Sequence, residues 1–268
     1  MRWAGVPGTV SAFYRVLIAG VVLIPWALKN GESSHFRRGN GDSPRFAWIA
    51  VTGGLFFALD LALWNTSVMR TQAAVAAILG NNTPIFVGLI SWVVLRRRPR
   101  ASFWIGLALA LGGCLLIMSA SLRGAARGSM SGNALAIIAS LFFGAYLVVT
   151  ERVRQSMSTL TFNALAIAGS ITALLVFCLV LRLPLWGYSP RTWLALAGLG
   201  LISQLMAYYA LVYALGHLPA TVTSVGLLAQ VPCTAVLAWL LLGEPLTGAQ
   251  LAGGGIVLAG ITVVNRYS

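Results

Sequence analysis

Charged residues are scarce in this sequence, and acidic residues are the scarcest of them. Only 9% of the 268 residues are charged and only five are Asp or Glu, whereas a soluble domain has about 25% charged residues. Hydrophobic residues make up 59% of the chain, and its mean hydropathy is +0.87. This composition excludes an ordinary soluble domain and indicates an integral membrane protein.

The residues that build cofactor and metal sites are also few, with one lysine, two histidines and three cysteines. Lys29 lies at a helix end, which excludes a retinal-type Schiff base in mid-membrane. His35 and His217 lie in or beside loops, far apart in the sequence. The cysteines all fall in apolar runs and are expected to be buried thiols. We therefore expect neither a metal nor a cofactor.

The motifs of several pump, channel and enzyme classes are missing as well. The sequence contains no G-x-x-x-x-G-K-[ST], no H-E-x-x-H and no G-x-S-x-G, and nothing in it resembles a potassium filter. These absences exclude an ATP-driven pump, a zinc peptidase of that type, an α/β-hydrolase and a potassium channel. The protein is not expected to be an enzyme.

Hydropathy and helix breakers divide the chain into nine apolar segments of about 18–24 residues, long enough to cross a hydrocarbon core of about 30 Å. Membrane β-strands would be about ten residues long and would alternate in polarity, so an all-α integral membrane protein is predicted. The predicted helices span residues 9–28, 46–69, 72–94, 102–121, 133–150, 160–181, 192–214, 220–242 and 249–265.

The net charge of +13 comes from basic residues scattered over short loops. They form no basic domain interleaved with aromatic residues, so nucleic-acid binding is not expected. Outside the apolar segments, 11 basic residues lie on one side of the membrane and 6 on the other. Because cytoplasmic loops are richer in Lys and Arg, we expect a multi-pass protein of the cell inner (plasma) membrane with a cytoplasmic C-terminus. The larger set is Lys29, Arg37, Arg38, Arg45, Arg96, Arg97, Arg98, Arg100, Arg152, Arg154 and Arg266, and the smaller set is Arg2, Arg70, Arg123, Arg127, Arg182 and Arg191.

The chain also repeats itself. SAFYRVLIAGVV at 11–22 resembles LTFNALAIAGSI at 160–171, and further residues match in order at a spacing of 147 to 149. Ordered matches at a nearly constant spacing indicate an internal duplication. The matched pairs include Phe13–Phe162, Pro84–Pro232, Trp92–Trp239, Gly106–Gly253 and Gly113–Gly260.

The repeat predicts the domain organisation. Residues 1–121 form the first repeat, 122–132 a linker and 133–268 the second repeat, within a single membrane domain. The 133–150 helix has no partner in the first repeat, so ten helices are expected where nine are visible, and the first helix is apparently missing. A complete half with five helices would be inverted in the membrane relative to the other half. Inverted repeats are a signature of secondary transporters, whose sites lie near the midplane.

The repeated hairpins, NNTPIFVGLISWVVLRRRPRASFWIGLALALGG and AQVPCTAVLAWLLLGEPLTGAQLAGGGIVLAG, resemble those of the EamA family of the drug/metabolite transporter superfamily. The most specific match is LLLGEPLTGAQLAGGGIVLAG at 240–260, and the resemblance covers nearly the whole chain. It implies ten helices in two inverted halves and movement of small metabolites, often export. The sequence departs from the family at Arg97, where Glu is common, and at the first helix.

Two helices carry polar residues beside a proline at matched places. Asn81, Asn82 and Pro84 interrupt one apolar segment, and Gln230 and Pro232 interrupt the other. Proline removes a backbone donor, and irregular backbone in a bilayer is tolerated only inside protein or against water. Paired interruptions are the best sequence indication of a transport site, so the three amides are predicted to bind substrate. Alternatively, the prolines make plain kinks and the amides join helices.

Asp60 and Arg15 are the charged residues deep inside apolar segments. An ionisable residue there is a functional candidate by default. The two could form a static ion pair that offsets their desolvation. Alternatively, Asp60 carries a proton and Arg15 holds a substrate carboxylate.

Amides and aromatic residues on the helices 46–69 and 192–214 complete the predicted substrate site. Trp64, Asn65, Gln204 and Tyr208 could line a pocket for a polar, partly apolar solute. The alternative for each is packing or anchoring at the membrane interface.

Small residues predict a close helix contact. Ala108-xxx-Gly112 and Gly255-xxx-Ala259 correspond in the repeat, and such pairs allow helices to approach closely. The 102–121 and 249–265 helices are therefore expected to pack together, either within one chain or in a homodimer.

The leading functional hypothesis is a secondary transporter, an exporter of small organic metabolites such as amino acids or related compounds, that works by alternating access. Proton coupling and facilitated diffusion both stay open. The alternative is an intramembrane enzyme or a flippase-type subunit acting on a lipid-linked substrate. The expected partners are the solute and the lipid bilayer.

Overall fold

The computed structural model describes residues 6–29, 44–123, 129–243 and 245–267. In these ranges nine helices are long and apolar enough to cross a membrane, and their ends lie within four residues of the predicted ones. This confirms the predicted all-α membrane fold. Some residues with predicted positions lie outside the described part, namely Arg2, His35, Arg37, Arg38 and residues 124–128 of the predicted 122–132 linker, which include Arg127.

Six of the membrane spans are continuous helices. They are α1 (Gly8–Lys29), α2 (Pro44–Arg70), α5 (Ala101–Arg123), α6 (Met130–Arg154), α7 (Thr159–Val180) and α12 (Gly248–Tyr267).

Three spans are interrupted. The first consists of α3 (Ala73–Gly80) and α4 (Thr83–Val93), and the second of α8 (Pro190–Gly198), a π-helical segment (Leu199–Ala207) and α9 (Tyr208–Leu215). The third consists of α10 (Ala220–Gly226), one 3₁₀ turn (Leu227–Ala229) and α11 (Gln230–Leu242). The first and third interruptions lie at the predicted proline sites, whereas the π-helical segment is an addition to the predicted fold.

The centre of the structure is formed by α1, α2, α6 and α7. Gly54 of α2 lies directly against the backbone of Ala166 of α7, where a side chain on residue 54 would collide with the carbonyl group. The hydroxyl of Ser170 donates to the Gly54 carbonyl oxygen at 2.7 Å. At the other end of α2, the hydroxyl of Ser67 donates to the Gly132 carbonyl oxygen at 2.7 Å, which fixes α6 to α2.

Helices α5 and α12 pack together through two pairs of glycines. A methyl group built on Gly106 would lie 2.6 Å from the carbonyl oxygen of Gly260, and one on Gly260 would lie 2.5 Å from that of Gly106. Gly113 and Gly253 make the same reciprocal contact, at 2.6 and 2.7 Å. A twofold rotation that exchanges the helices would give this pattern. The close packing of these helices within the chain is therefore confirmed, while the inverted repeat stays a prediction.

The predicted residues of this contact were wrong. Ala108, Gly112, Gly255 and Ala259 all lie on exposed surface, and no atom outside the local helix lies within 4 Å of a Cβ built on Gly112 or Gly255. The reason is helix register, because the contact uses residues 106 and 113 of α5, which lie on a different face of the helix from 108 and 112. The homodimer stays a prediction.

The two halves differ in how well their helices are covered. Helix α6 packs against α2, α3 and α4. The repeat matches these helices to the α8–α9 and α10–α11 spans, where Ile202, Met206 and Leu237 are 67%, 67% and 53% exposed. The tenth helix that the repeat predicts stays a prediction.

Candidate functional site

The interruption between α3 and α4 is stabilised by its own side chains. Pro84 has no N–H, so it leaves the carbonyl group of Gly80 without its helical donor. The Thr83 hydroxyl donates to that oxygen at 3.0 Å. The Asn82 amide donates to the carbonyl oxygen of Leu79 at 3.0 Å and also reaches that of Ile78 at 3.3 Å. Asn82 therefore caps the end of α3, and it is not among the residues that line the cavity described below.

Asn81 points away from this local cap and across to the other proline-interrupted span, α10–α11. Its side-chain oxygen accepts a hydrogen bond from Nε2 of Gln230 at 3.2 Å. Its Nδ2 is buried and has no hydrogen-bond partner in the structure. Gln230 is the first residue of α11, directly after the 3₁₀ turn. The two matched interruptions thus meet through their amides.

A cavity of about 350 Å³ lies beside this amide contact. Seven residues of the predicted site line it, namely Arg15, Asp60, Trp64, Asn81, Pro84, Tyr208 and Gln230. Side chains from the two proline-interrupted spans and from α1, α2 and α9 therefore line the same cavity.

Arg15 and Asp60 are the charged residues of the cavity wall, and they are only 7% and 8% exposed. Arg15 lies seven residues from Gly8 and Asp60 ten residues from Arg70, roughly 10 and 15 Å from their helix ends. They interact electrostatically, but the described residues contain no Arg15–Asp60 contact of ion-pair length. Nη2 of Arg15 donates instead to the hydroxyl of Ser203, at a long 3.4 Å. Both side chains therefore have hydrogen-bonding groups that are free to bind a solute in the cavity.

Aromatic rings form another part of the wall. Tyr208 makes an edge contact with Phe57, with ring centroids 4.7 Å apart, and lies 6.4 Å from Phe143. The ring of Trp64 lies directly on the backbone of Gly80, where any Cβ would collide with it. Gly80 therefore lets the Trp64 ring lie against the helix interruption.

The remaining predicted residues lie elsewhere. Asn65 is fully buried, and neither its side-chain oxygen nor its nitrogen has a partner in the structure. Gln204 is 2% exposed inside the π-helical segment, and its Oε1 likewise has no partner. The nearest atom to a Cβ on Gly254 of α12 is Cβ of Pro232, so this proline packs on α12. None of these side chains lines the cavity.

Several cavity residues were not predicted. They are mostly small polar or apolar side chains, and include Ser140, Phe143, Ser203, Leu211, Ser224 and Leu228. Serine is common in membrane helices and marks no position by itself. Ser203 had one indirect signal in the sequence, its position next to the predicted residue Gln204.

The contact between Gly80 and Trp64 gives a first prediction. Gly80→Ala should displace the Trp64 ring and, for the transport that the resemblance to the EamA family implies, lower the rate by about tenfold, because small misplacements in a site are costly. Gly226→Ala is the matched control, since Gly226 ends α10 at the corresponding interruption and a Cβ there meets nothing within 4 Å. Initial transport rates of both variants in proteoliposomes would check this. Equal losses would show that helix flexibility, and not Trp64, matters.

The described part of the chain has nine membrane-length helices around a cavity whose wall includes charged and polar side chains, and these features define a class, a multi-pass membrane protein with a solute-sized site. The profile of the EamA-like transporter family matches residues 2–119 and 130–266. The chain belongs to this family.

Individual relatives are transporters by name. The uncharacterized transporter YwfM of Bacillus subtilis is 28% identical over 97% of this chain and 89% of that protein. An uncharacterized transporter of Archaeoglobus fulgidus is 30% identical over 84% of this chain and 78% of its own length. The pseudopaline exporter CntI of Pseudomonas aeruginosa is 25% identical over 98% and 88%. A crystal structure with 20% identity shares the fold, with a TM-score of 0.77 over 98% of this chain and 89% of that chain.

Proposed function

We propose that the protein exports small organic metabolites, such as amino acids or related compounds, by alternating access around the central cavity. The observation that carries this proposal is the meeting of two matched helix interruptions at a polar cavity, through Asn81 and Gln230. Discontinuous helices at the repeat interface are where secondary transporters bind their solutes. The names of the relatives support transport over an enzymatic role, and CntI supports the outward direction.

Release of solutes from vesicles tests this function and identifies the substrate in the same experiment. Purified protein would be placed in proteoliposomes loaded with a bacterial metabolite extract, and mass spectrometry would identify the compounds that leave. We expect release of one or a few small metabolites that protein-free vesicles retain. Identical release from both kinds of vesicle, with folded protein present, would contradict the proposal.

Glu151, at the C-terminal end of α6, connects the cavity-lining helices at one of their ends. Its Oε1 lies 3.4 Å from Nη1 of Arg97, and its Oε2 accepts a hydrogen bond from the backbone N–H of Ala220 at 2.9 Å. Arg97 follows α4 and Ala220 begins α10, so Glu151 joins the two proline-interrupted spans on the arginine-rich side. For alternating access, these contacts must break whenever the cavity opens to that side.

Removing this tie should favour the state that is open toward the arginine-rich side. Glu151→Ala loses a charged hydrogen bond and an ion pair, which should raise the population of that state by roughly tenfold. Labelling of a Ser224→Cys reporter in the cavity wall by an impermeant maleimide should speed up accordingly. Arg152→Ala is the control, since it removes an exposed neighbouring charge. An unchanged labelling rate in Glu151→Ala would contradict the role.

The orientation in the inner membrane is part of the proposal. In a Cys233→Ser background, which removes the exposed native thiol, Trp186→Cys and Arg98→Cys place single exposed thiols in the 181–189 and 94–100 connections. Impermeant maleimide on intact cells should label only position 186, because the arginine-rich side and the C-terminus face the cytoplasm. Labelling of position 98 alone would show that the protein has the opposite orientation in the membrane.

A further inference from the structure

The cavity wall holds one basic and one acidic side chain that make no direct ion pair with each other. Arg15 and Asp60 are both more than nine-tenths buried and both line the cavity. No ion pair between them is present in the described part of the chain. An unpaired buried charge is energetically costly. Ionisable residues inside membrane segments therefore usually have a function.

Both groups have hydrogen-bonding sites to spare. A guanidinium has five N–H donors, and the hydrogen bond that the structure gives Arg15 is the long one to Ser203. Its Nε is buried without a partner. The Asp60 carboxylate, a strong acceptor, receives no hydrogen bond from any described residue. The site therefore offers donors at one place and acceptors at another.

The surroundings suit a cation beside Asp60. Tyr208 interacts electrostatically with both charged groups, and the Trp64 ring lies on the same wall. Aromatic faces attract ammonium groups, most strongly when water is excluded. The rest of the wall includes the apolar side chains of Leu61, Leu211 and Leu227, which could surround an aliphatic or aromatic substituent.

We propose that the cavity selects zwitterions. The solute's carboxylate binds Arg15 and Ser203, its ammonium group binds Asp60 beside Tyr208, and its side chain lies against the leucines. This substrate class rests on the proposed transport function. A solute with only one of the two charges would leave the opposite protein charge buried without a partner, so it would bind much more weakly.

The vesicle-release experiment tests this inference separately from transport itself. Compounds that leave would be sorted by charge, and we expect those with adjacent ammonium and carboxylate groups to dominate. Release of singly charged or uncharged metabolites only would overturn the zwitterion inference and leave transport standing. Release of nothing would overturn both.

Competition sharpens the result. For the amino acid released fastest, its decarboxylated amine and its deaminated acid would compete for counterflow; for leucine these are isoamylamine and 4-methylpentanoate. We expect each analogue to need at least about a tenfold higher concentration than the amino acid, the effect of one lost charged hydrogen bond. Equal competition by either analogue would overturn the inference with the wild-type protein alone.

Variants then assign the two charges. Asp60→Asn should bring the deaminated acid to within about threefold of the amino acid, and Arg15→Gln should do so for the amine, while Arg152→Gln should leave the wild-type ranking unchanged. The two variants should therefore improve competition by different analogues, a result that a purely structural role of the two residues would not produce. An unchanged ranking in both folded variants would overturn the assignment.

Discussion

Gly253→Leu is expected to prevent stable folding, whereas Gly255→Leu, two residues along the same helix, should be tolerated. A Cβ on Gly253 would lie 2.7 Å from the carbonyl oxygen of Gly113 and 2.7 Å from a side-chain carbon of Ile117. Backbone cannot give way as a flexible side chain can, so α5 and α12 would have to separate. We expect a loss of about 3 kcal/mol or more. At Gly255 a Cβ meets nothing within 4 Å, and a leucine there would face lipid.

Thermal unfolding in detergent, followed by size-exclusion chromatography, would check the pair. The expected result is aggregation or a strongly lowered Tm for Gly253→Leu beside a Tm near wild type for Gly255→Leu. Equal destabilisation of both variants would mean that loss of a flexible glycine, and not the contact with α5, matters. A folded Gly255→Leu protein with a changed oligomeric state would instead indicate a dimer on the outer face.

The helices could be predicted from sequence because a bilayer imposes a simple rule. A span needs about 20 apolar residues with every backbone group bonded internally, so length and hydropathy fix the spans almost unaided. The interruptions at Pro84 and Pro232 were visible for the same reason, since a proline must leave a carbonyl group without a donor. The π-helical segment Leu199–Ala207, which packs against α1, had no comparable signal, because it contains no proline and is as apolar as an ordinary membrane helix.

Helix register is what the sequence left open. Helix α5 has small residues at 106, 108, 110, 112 and 113, on more than one face, and composition does not say which face meets α12. The adjacent amides Asn81 and Asn82 pose the same problem. Successive residues lie about 100° apart around a helix, so one amide reaches Gln230 while the other bonds the backbone of its own helix. The cavity itself could be expected, but its exact lining could not.

Neutralising Asp60 or Arg15 is expected to lower the initial transport rate by more than about tenfold while changing stability little. Each charge is proposed to hold one end of the solute, and removing a charged hydrogen bond costs about 1.5–3 kcal/mol of binding. Stability should change little because the two side chains make no direct ion pair whose breaking would strand the other charge. Rates in proteoliposomes and the Tm of purified Asp60→Asn, Arg15→Gln and the double variant would be measured together.

The double variant separates this role from a static ion pair. If the two residues were a structural pair, each single change would leave a buried charge and cost about 3–5 kcal/mol, and removing both charges would restore stability and transport. If they bind the solute, the double variant stays folded and inactive, because neither end of the zwitterion has a partner. The pH dependence adds a further test of Asp60. A folded Asp60→Asn protein that transports at the wild-type rate at every pH would exclude both a proton-carrying and a substrate-binding role, since no charge would then be needed at this position.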